Sequence, residues 1–386
     1  MSGGVDSSVA AALLVKAGYD VVGVFMRLGS PGETLDELTD AAESCEAGAS
    51  VRIGKQGCCS VSDAADARQV AAELGIPLYV VNFKKDFGRI IDYFVDAYAE
   101  GRTPNPCVRC NDWLKFGKLH EYAKQIGAEA VASGHYARVE SGPDGPRLLR
   151  GVDGSKDQSY VLFGAPREQL GAMMLPVGGF EKSAIREMAR ERGLPVFDKP
   201  DSQEICFVPD NDYAGLVERR RPELAASGQI IDSSGEKLGE HGGQHRFTIG
   251  QRRGVGVALG HPIYVIDKDP AHNTVTVGAR EAMLVERVEV GEANWLVEPP
   301  SEPRRVLAQY RSHAEPVVAS LSMLDDAVEA GPSGRSGRFG IRFGEPQAAV
   351  AAGQAIVLYD IEEPDVVLGG GWIERTERVR GEGVCA

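Results

Sequence analysis

Two adjacent glycines near the start of the chain precede an acidic residue and two serines, a combination that can bind phosphate. Glycine pairs let successive backbone N–H groups point at one anion, and serine hydroxyls at the start of a helix add donors. The pattern lacks the Gly-Lys-Ser/Thr ending of a Walker loop. We predict a pyrophosphate-binding loop, rather than an ordinary tight turn before a capped helix, formed by Ser2, Gly3, Gly4, Val5, Asp6, Ser7 and Ser8.

Three cysteines could carry a second kind of chemistry. Cys107 and Cys110 form a Cys-x-x-Cys pair, and Cys206 lies far along the chain. A structural zinc site needs four ligands, and no second such pair completes one. The thiolate is the reactive form of cysteine, so these residues could be nucleophiles or sulfur carriers. Cys206, between Ile205 and Phe207, could equally be a small buried apolar residue.

The composition describes a globular protein with reduced thiols. Of 386 residues, 43% are hydrophobic and 25% are charged, and the seven cysteines are an odd number that fits no simple disulfide framework. The sequence contains neither a secretion signal at its start nor a run of about 18 apolar residues. We therefore expect a cytoplasmic protein with no membrane partner.

The net charge of −14 argues against a protein that coats nucleic acid non-specifically, because Lys and Arg contacts with phosphate supply that affinity. Residues 211–280 contain nine Lys and Arg against eight Asp and Glu, so the acidity lies elsewhere. The middle of the chain is the better candidate for a nucleic-acid contact.

The first 200 residues alternate apolar, β-branched runs with helix-like segments, which predicts a parallel sheet covered by helices. A strand, a glycine turn and a helix in succession would place the phosphate loop at a helix N-terminus. The predicted helices are 7–17 and 61–74, and the predicted strands are 20–26, 77–81, 128–133 and 137–139.

Beyond residue 211 the pattern changes to glycine-rich turns and short apolar runs. Residues 262–267 and 274–277 predict a hairpin within a small mixed domain. Short alternating strands follow, which predict a compact β-barrel or sandwich. They lie at 305–310, 355–359 and 366–368, and 331–337 is expected to be an exposed loop.

Five further motifs occur in an order typical of one family. They are GRTPNPCVRCN at 101–111 followed by Lys115-Phe116, SGHYAR at 133–138, KDQSY at 156–160, PDSQEICF at 200–207 and TIGQRRG at 248–254. The opening loop resembles the PP-loop of ATP pyrophosphatases, and the whole set resembles the tRNA-specific 2-thiouridylases, the MnmA/TrmU family. The resemblance implies an α/β, parallel-sheet PP-loop domain of the HUP-like type (1–210), a small central mixed domain contacting tRNA (211–282) and a C-terminal β-barrel domain (283–386).

This resemblance also implies a reaction, an ATP-dependent sulfur transfer to C2 of the wobble uridine (U34) of tRNAs for Lys, Glu and Gln. Cys110 takes the nucleophile's position and Cys206 that of the persulfide carrier, with a disulfide between them closing the cycle. Cys107 stands where the family often has Asp. ATP, expected with Mg²⁺, would contact the opening loop, Met26 and Gly134. The implied tRNA contacts are Asn105, Pro106, Cys107, His135, Lys156, Asp157, Gln158, Tyr310, Arg311 and Gln354.

Several alternatives remain open. Cys107, Cys110 and Cys206 could hold a 4Fe–4S cluster with one open iron, as in other sulfur-inserting thiolases. The chain could be another PP-loop synthetase or amidotransferase that adenylates a small metabolite, or a non-catalytic tRNA-binding module. A cysteine desulfurase or a relay protein would deliver the sulfur. In the family an apolar strand precedes Ser-Gly-Gly, and Met1 stands where it would end, so we expect the natural start to lie upstream.

Overall fold

The computed structural model describes residues 1–29, 61–201, 205–208, 211–312, 314–324, 335 and 337–379. The chain divides into two compact units. The first comprises Met1–Ile90, Leu114–Ser159 and Gln169–Asp212, and the second comprises Ile91–Trp113, Tyr160–Glu168 and Tyr213–Ala386. Among the helices in the described ranges, none is both long enough and apolar enough to cross a membrane.

The first unit is α/β, with parallel strand pairs packed by helices. Strand β1 pairs in parallel with β2, and β3 pairs in parallel with β6. Val5 and Val9 of α1 form a core with Val70 of α2 and Ile185 of α6. The elements are α1 (Val5–Lys16), β1 (Gly23–Arg27), α2 (Val61–Leu74), β2 (Leu78–Asn82), α3 (Lys84–Ala99), which continues into the second unit, α5 (Leu119–Gln125), β3 (Val131–Ala132), β4 (Ala137–Gly142), β5 (Gly145–Arg150), β6 (Met173–Met174) and α6 (Lys182–Glu191).

The predicted parallel strands at 20–26 and 77–81 are confirmed as β1 and β2, with their bounds moved by one to three residues. The prediction at 137–139 is corrected, because β4 is not part of a parallel sheet but pairs antiparallel with β5. Only two residues join these strands, and Gly145 has φ +114° at the end of that turn. So short a connection permits only an antiparallel hairpin.

The second unit begins with the end of α3, a short helix α4 (Pro106–Arg109) and the start of a π-helix (Cys110–Lys118). After α7 (Tyr213–Arg220), a four-stranded sheet has the order β8-β7-β10-β9. Its strands are β7 (Gly228–Ile231), β8 (Lys237–His241), β9 (Tyr264–Asp269) and β10 (Thr274–Gly278). The predicted hairpin is confirmed, since β9 and β10 pair antiparallel over a core that contains Ile230, Phe247, Val265 and Val275.

The last strands form a closed barrel with the order β11-β14-β13-β12-β15-β16, which decides between the barrel and sandwich predictions. The strands are β11 (Leu284–Trp295), β12 (Arg304–Gln309), β13 (Val317–Leu324), β14 (Arg338–Ala348), β15 (Ala355–Tyr359) and β16 (Val367–Arg378). Alternate residues point inward, as Val288 and Val290 of β11 do.

One prediction near the barrel needs correction, and another is tested at only two residues. The predicted strand 366–368 stops before three glycines, whereas β16 runs through them. Glycine is needed within this strand because a Cβ at Gly369 or Gly370 would lie within 2.4 Å of a neighbouring carbonyl oxygen. Of the predicted exposed loop 331–337, only Arg335 and Gly337 are described. Gly337 is exposed, as predicted, whereas the Arg335 side chain is 20% exposed and pairs with Asp112. The rest of that loop lies outside the described residues.

Candidate functional site

The glycine loop at the start of the chain is held tightly against helix α2. Gly3 has φ +71°, and a Cβ there would lie 2.3 Å from the carbonyl oxygen of Asp63. Gly4 caps α1, and the Ser7 hydroxyl accepts a hydrogen bond from the Ser2 N–H over 3.1 Å. Only glycine satisfies both the backbone angle and the close approach at position 3. The loop therefore presents the N-terminus of a helix framed by small residues, as a phosphate site requires.

Gly134, predicted as an adenine-side contact, lies against the first turn of α1. A Cβ at this position would be 2.6 Å from the carbonyl carbon of Asp6 and from the backbone nitrogen of Ser7. The chain after β3 thus approaches the glycine loop as closely as backbone atoms allow. Met26 is near the end of β1 and is half-buried.

His135, predicted as a tRNA contact, is 7% exposed. Its Nδ1 is 2.7 Å from the Ser133 hydroxyl and its Nε2 is 3.2 Å from Lys115 Nζ. Burial, assisted by the Lys115 charge, holds the pKa of His135 well below its ordinary value. The structure therefore gives this neutral ring a local role in shaping the loop around Gly134, while its contact with tRNA stays a prediction.

Two lysines that were not predicted as site residues, Lys182 and Lys199, lie beside the glycine loop. Lys182 Nζ lies 2.7 and 2.8 Å from the two carboxylate oxygens of Asp6 and 2.9 Å from Asp201 Oδ1. Lys199 Nζ donates to the Gly3 carbonyl oxygen over 2.9 Å and pairs with Asp63. Lys182 and Asp6 are 176 residues apart in sequence, so no local pattern could have shown the pair.

The Asp201 carboxylate, five residues before Cys206 in sequence, pairs with three cationic side chains. Its carboxylate lies within 2.9 Å of Lys156, Lys182 and Arg186. Burial by itself would raise the pKa of Asp201, but the hydrogen bonds and charges of the two lysines outweigh it and lower the pKa to about 2. Lys156 was predicted to contact tRNA, and here its ammonium is engaged in this network.

Asp157 and Gln158 form hydrogen bonds that stabilise the loop around them. The Asp157 carboxylate accepts hydrogen bonds from the backbone N–H groups of Gly151 and Ser159, and Gln158 Oε1 accepts one from Tyr136 N–H. These hydrogen bonds fix the geometry of the loop without any nucleic acid. Both residues are half-buried, and their contacts with tRNA stay predictions.

Cys107 and Cys110 lie three residues apart on the segment that joins α4 to the π-helix, and the structure leaves Cys107 exposed and Cys110 half-buried. Asn105 caps α4 by accepting a hydrogen bond from Val108 N–H, and Pro106 occupies the first turn, where its missing N–H costs nothing. A spacing of three places both cysteines on one helix face. A π-helix beginning at Cys110 is a rare geometry that is frequent at functional sites.

Arg109, within the same segment, was missed as a functional candidate. Its guanidinium forms two hydrogen bonds with the Glu292 carboxylate, at 3.0 and 2.7 Å, and the residue is 1% exposed. The guanidinium also lies 3.9 Å from the ring centre of Trp372. The barrel strand β11 therefore holds the helix that carries Cys107 and Cys110.

The barrel residues predicted to contact tRNA lie at turns of the second unit. Tyr310 donates to Gln347 over 3.2 Å, and Arg311 donates to the carbonyl oxygen of Ala349. Gln354 follows a turn whose backbone lies against the stretch before Asn105, since Thr103 N–H donates to the Ala352 oxygen over 2.9 Å. The structure thus brings Gln354 and the cysteine segment into the same unit.

The persulfide candidate Cys206 is half-buried, and its neighbour Phe207 packs edge-on against Phe87 of α3 with ring centres 5.7 Å apart. Cys206 is therefore not the fully buried apolar residue that its sequence context allowed. Across the described ranges, no group of three or more His, Cys, Asp or Glu side chains is placed to hold a metal ion.

Comparison with known proteins gives matches along nearly the whole chain. Residues 1–210 match the family model for the tRNA methyl transferase HUP domain, 216–279 the tRNA methyl transferase PRC-barrel domain and 285–373 the aminomethyltransferase beta-barrel domain. These matches and the closed barrel confirm the predicted fold class.

Curated relatives are similar over the same length. Proteins named tRNA-specific 2-thiouridylase MnmA from Rhodopirellula baltica and Geotalea uraniireducens are 46% and 44% identical, over 97% of this chain in each case and 94% and 93% of theirs. Among solved structures, the NMN synthetase from Francisella tularensis is 18% identical with a TM-score of 0.30 over 56% of this chain and 73% of that one, which is too distant to support an argument.

Proposed function

The chain belongs to the family of tRNA-specific 2-thiouridylases, and from this premise we propose that it is a tRNA-uridine 2-sulfurtransferase. It replaces the C2 oxygen of the wobble uridine (U34) with sulfur and converts ATP to AMP and diphosphate. The near-full-length similarity to named 2-thiouridylases carries this proposal. The glycine loop and the cysteine segment support it, because the reaction needs an activating nucleotide and a sulfur carrier.

We assign ATP, as a substrate, to the loop formed by Ser2, Gly3, Gly4, Val5, Asp6 and Ser7, with Met26 and Gly134 on the adenine side. The close packing of Gly3 and Gly134 supports this assignment, since both glycines leave the helix N-terminus accessible to an anion. Lys182 and Lys199 add positive charge beside the loop. Mg²⁺ would accompany the nucleotide, because it neutralises phosphate oxygens during such transfers.

The tRNA substrate would be the isoacceptors for Lys, Glu and Gln. Chemistry at C2 requires the uridine to leave the base stack. We propose that Asn105, Pro106 and Cys107 receive the extruded base, and that further contacts come from His135, Lys156, Asp157, Gln158, Tyr310, Arg311 and Gln354. The hydrogen bonds of His135, Asp157 and Gln158 within their own loop suggest that these three shape the surface rather than carry its charge.

Sulfur transfer follows from the two cysteines. Oxygen is a poor leaving group, so adenylation of the C2 oxygen releases diphosphate and makes AMP the group that leaves. The terminal sulfur of a Cys206 persulfide attacks C2 and AMP departs with the oxygen. The Cys110 thiolate then attacks the Cys206 sulfur, which releases 2-thiouridine and leaves a Cys110–Cys206 disulfide. A thiol reductant restores both cysteines, and a sulfur donor such as a cysteine desulfurase or a relay protein reloads Cys206.

We further propose that the protein acts in the cytoplasm, where tRNA and reduced thiols coexist. The 4Fe–4S alternative, using Cys107, Cys110 and Cys206, would replace the persulfide cycle with sulfur bound to the open iron. Iron content and the absorption spectrum of anaerobically purified protein separate the two. A PP-loop enzyme for a small metabolite would release AMP without tRNA.

The deciding experiment incubates purified protein with unmodified tRNA, Mg-ATP and a cysteine desulfurase with cysteine, followed by nucleoside mass spectrometry. Wild-type protein is expected to form 2-thiouridine, whereas Cys110→Ser and Cys206→Ser abolish it while pyrophosphate release persists. Cys58→Ser is the matched control and should keep full activity. Mass also separates sulfur substitution from the methyl transfer that the family-model descriptions name. Undiminished 2-thiouridine from both cysteine variants would refute the mechanism.

A further inference from the structure

Arg109 is a charged side chain placed where the protein could have used an apolar one. The guanidinium lies in a cage of aromatic rings, with ring centres 3.9 Å away at Trp372, 5.0 Å at Tyr93 and 5.1 Å at Trp113. Its two terminal nitrogens bind Glu292, while its Nε has no hydrogen-bond partner among the described residues. Replacing a buried ion pair with apolar residues is often neutral for stability or better, so stability alone does not account for this pair.

The barrel strand is shaped to meet the guanidinium. Glu292 has φ +49°, a left-handed conformation that is uncommon outside glycine, and the register between β11 and β16 shifts between Gly291 and Asn294. Such a bulge re-aims the side chain that it carries. A Cβ at Gly291 would lie 1.8 Å from Glu374 Oε1, so a larger residue there would displace the Glu374 side chain. A local distortion of the barrel is thus what directs the carboxylate at Arg109.

Helix α4 continues without a break into the π-helix Cys110–Lys118, so Arg109 and Cys110 lie where the backbone changes from α-helical to π-helical hydrogen bonding. Such π-helical segments are rare and occur frequently at functional sites. An apolar side chain can slide within an apolar cage, whereas a planar guanidinium bonded at two points to one carboxylate has a single orientation. The Arg109 side chain, next to Cys110 in sequence, therefore has a single well-defined placement.

We propose that Arg109 is a positioning residue for Cys110, and that the C-terminal barrel sets the nucleophile's place through Glu292 and Trp372. The inference rests on the proposed function, which gives Cys110 its role, and adds to it the residue that fixes where Cys110 acts. A second pair at the far side of Cys110 supports the same function for the segment: Arg335 holds Asp112 over 3.1 and 3.2 Å.

The test uses the full chain with a double substitution, Arg109→Met with Glu292→Gln, which removes both charges and leaves none buried without a partner. The matched control is Arg338→Met with Glu289→Gln, another barrel pair at 3.0 Å, whose arginine is 12% exposed and also pairs with Glu374. Arg109→Lys is the conservative variant, which keeps the charge but loses the two-point geometry and the flat stacking surface.

Three quantities are measured: kcat and KM for 2-thiouridine formation, pyrophosphate release, and the iodoacetamide alkylation rates of Cys110 and Cys206 against pH. The double variant is expected to lower kcat by between about ten- and a hundredfold, the range for a reacting group displaced by about 1 Å. KM for tRNA and pyrophosphate release stay near wild type. The pH profile of Cys110 alkylation changes while that of Cys206 does not. Arg109→Lys also lowers kcat, and the control pair behaves as wild type.

Two results overturn the inference. One is wild-type kcat in the double variant. The other is a fall in kcat that accompanies an equal loss of pyrophosphate release, a lower melting temperature and faster alkylation of both cysteines, since that pattern means general destabilisation. Failure of the proposed function looks different, because wild-type protein would then make no 2-thiouridine, or Cys110→Ser would make as much as wild type.

Discussion

At the scale of single residues, Lys182 connects motifs that lie far apart in sequence. Its ammonium is shared by Asp6 of the glycine loop and Asp201, and the Tyr136 hydroxyl donates to the same Asp6 carboxylate over 2.7 Å. A carboxylate beside a phosphate site repels nucleotide unless a cation balances it. In the proposed nucleotide site Lys182 would supply that balance, and its pair with Asp201 also fixes the chain just before Cys206.

Lys182→Met is expected to lower kcat/KM for ATP by about tenfold, which corresponds to about 1.4 kcal/mol. The physical reason is that Asp6 then faces the phosphates without its cation. Initial rates of pyrophosphate release at varied ATP concentration measure the effect. Arg190→Met, on the same helix but 61% exposed, is the control. Equal kcat/KM values for Lys182→Met and wild type would show that the lysine serves only the fold.

The lowered pKa of Asp201 predicts that the stability of the fold depends on pH. Its pKa is lowered from 3.8 to about 2 in the folded chain, so its contribution is complete above the unfolded value and is lost as pH falls through that window. Asp201→Asn has no such titration. The free energy of unfolding, from urea titrations at several pH values between 5 and 2, should therefore fall less steeply for Asp201→Asn than for wild type. Parallel curves would contradict the assignment of the network to Asp201.

At the scale of elements, the glycine loop is defined by the close approach of three chain segments. The start of α1 receives the chain after β3 on one side and the start of α2 on the other, through contacts that allow no Cβ at Gly134 or Gly3. Two glycines in different segments thus set how the helix N-terminus is presented. Packing, rather than backbone flexibility, explains Gly134, because its φ is not positive.

Gly134→Ala tests this arrangement. The added methyl group would overlap the backbone of Asp6 and Ser7, and overpacking of this kind costs about 1–3 kcal/mol. We expect a lower melting temperature together with weaker ATP binding, measured by thermal unfolding and by calorimetric titration. Gly154→Ala is the matched control in the same unit, because a Cβ there meets nothing within 4 Å. Tight ATP binding by Gly134→Ala would argue that the loop tolerates displacement.

At the scale of the whole molecule, the charge of −14 restricts where tRNA can bind. Phosphate contacts must come from local basic groups, and each one releases counterions when tRNA binds. An acidic chain therefore cannot hold tRNA through a diffuse positive field. The same acidity disfavours non-specific nucleic-acid binding, which would leave substrate choice to a small set of contacts.

The resulting prediction concerns salt. The Kd for unmodified tRNA should rise steeply and linearly in a plot of log Kd against log salt concentration, as measured by fluorescence anisotropy. Cys110→Ser and Cys206→Ser should give the same line as wild type, because neither cysteine contacts phosphate. Arg311→Met tests one predicted contact and should reduce the slope by about one counterion. An affinity independent of salt would mean that phosphate contacts are not what binds tRNA.

The sequence by itself determined the features that depend on residue type and short spacing. The proposed phosphate loop and the Cys107–Cys110 pair follow from local patterns, and so do helix 61–74 and the hairpin at β9 and β10, which the structure confirms. The order of the motifs was enough to indicate the family. The local patterns gave wrong predictions at β4 and β16. At β4 a two-residue turn was not recognised as the turn of a hairpin, and at β16 a run of glycines was not recognised as part of a continuous strand.

Only the tertiary structure decided which distant residues act together. Lys182 with Asp6, and Arg109 with Glu292, are pairs whose members lie 176 and 183 residues apart, and nothing near either partner marks the other. Their importance arises from burial, because a charge removed from water needs a partner and so fixes the two segments that supply the pair. The sequence named the cysteine that we propose as nucleophile, and the fold supplied the arginine that holds it in place.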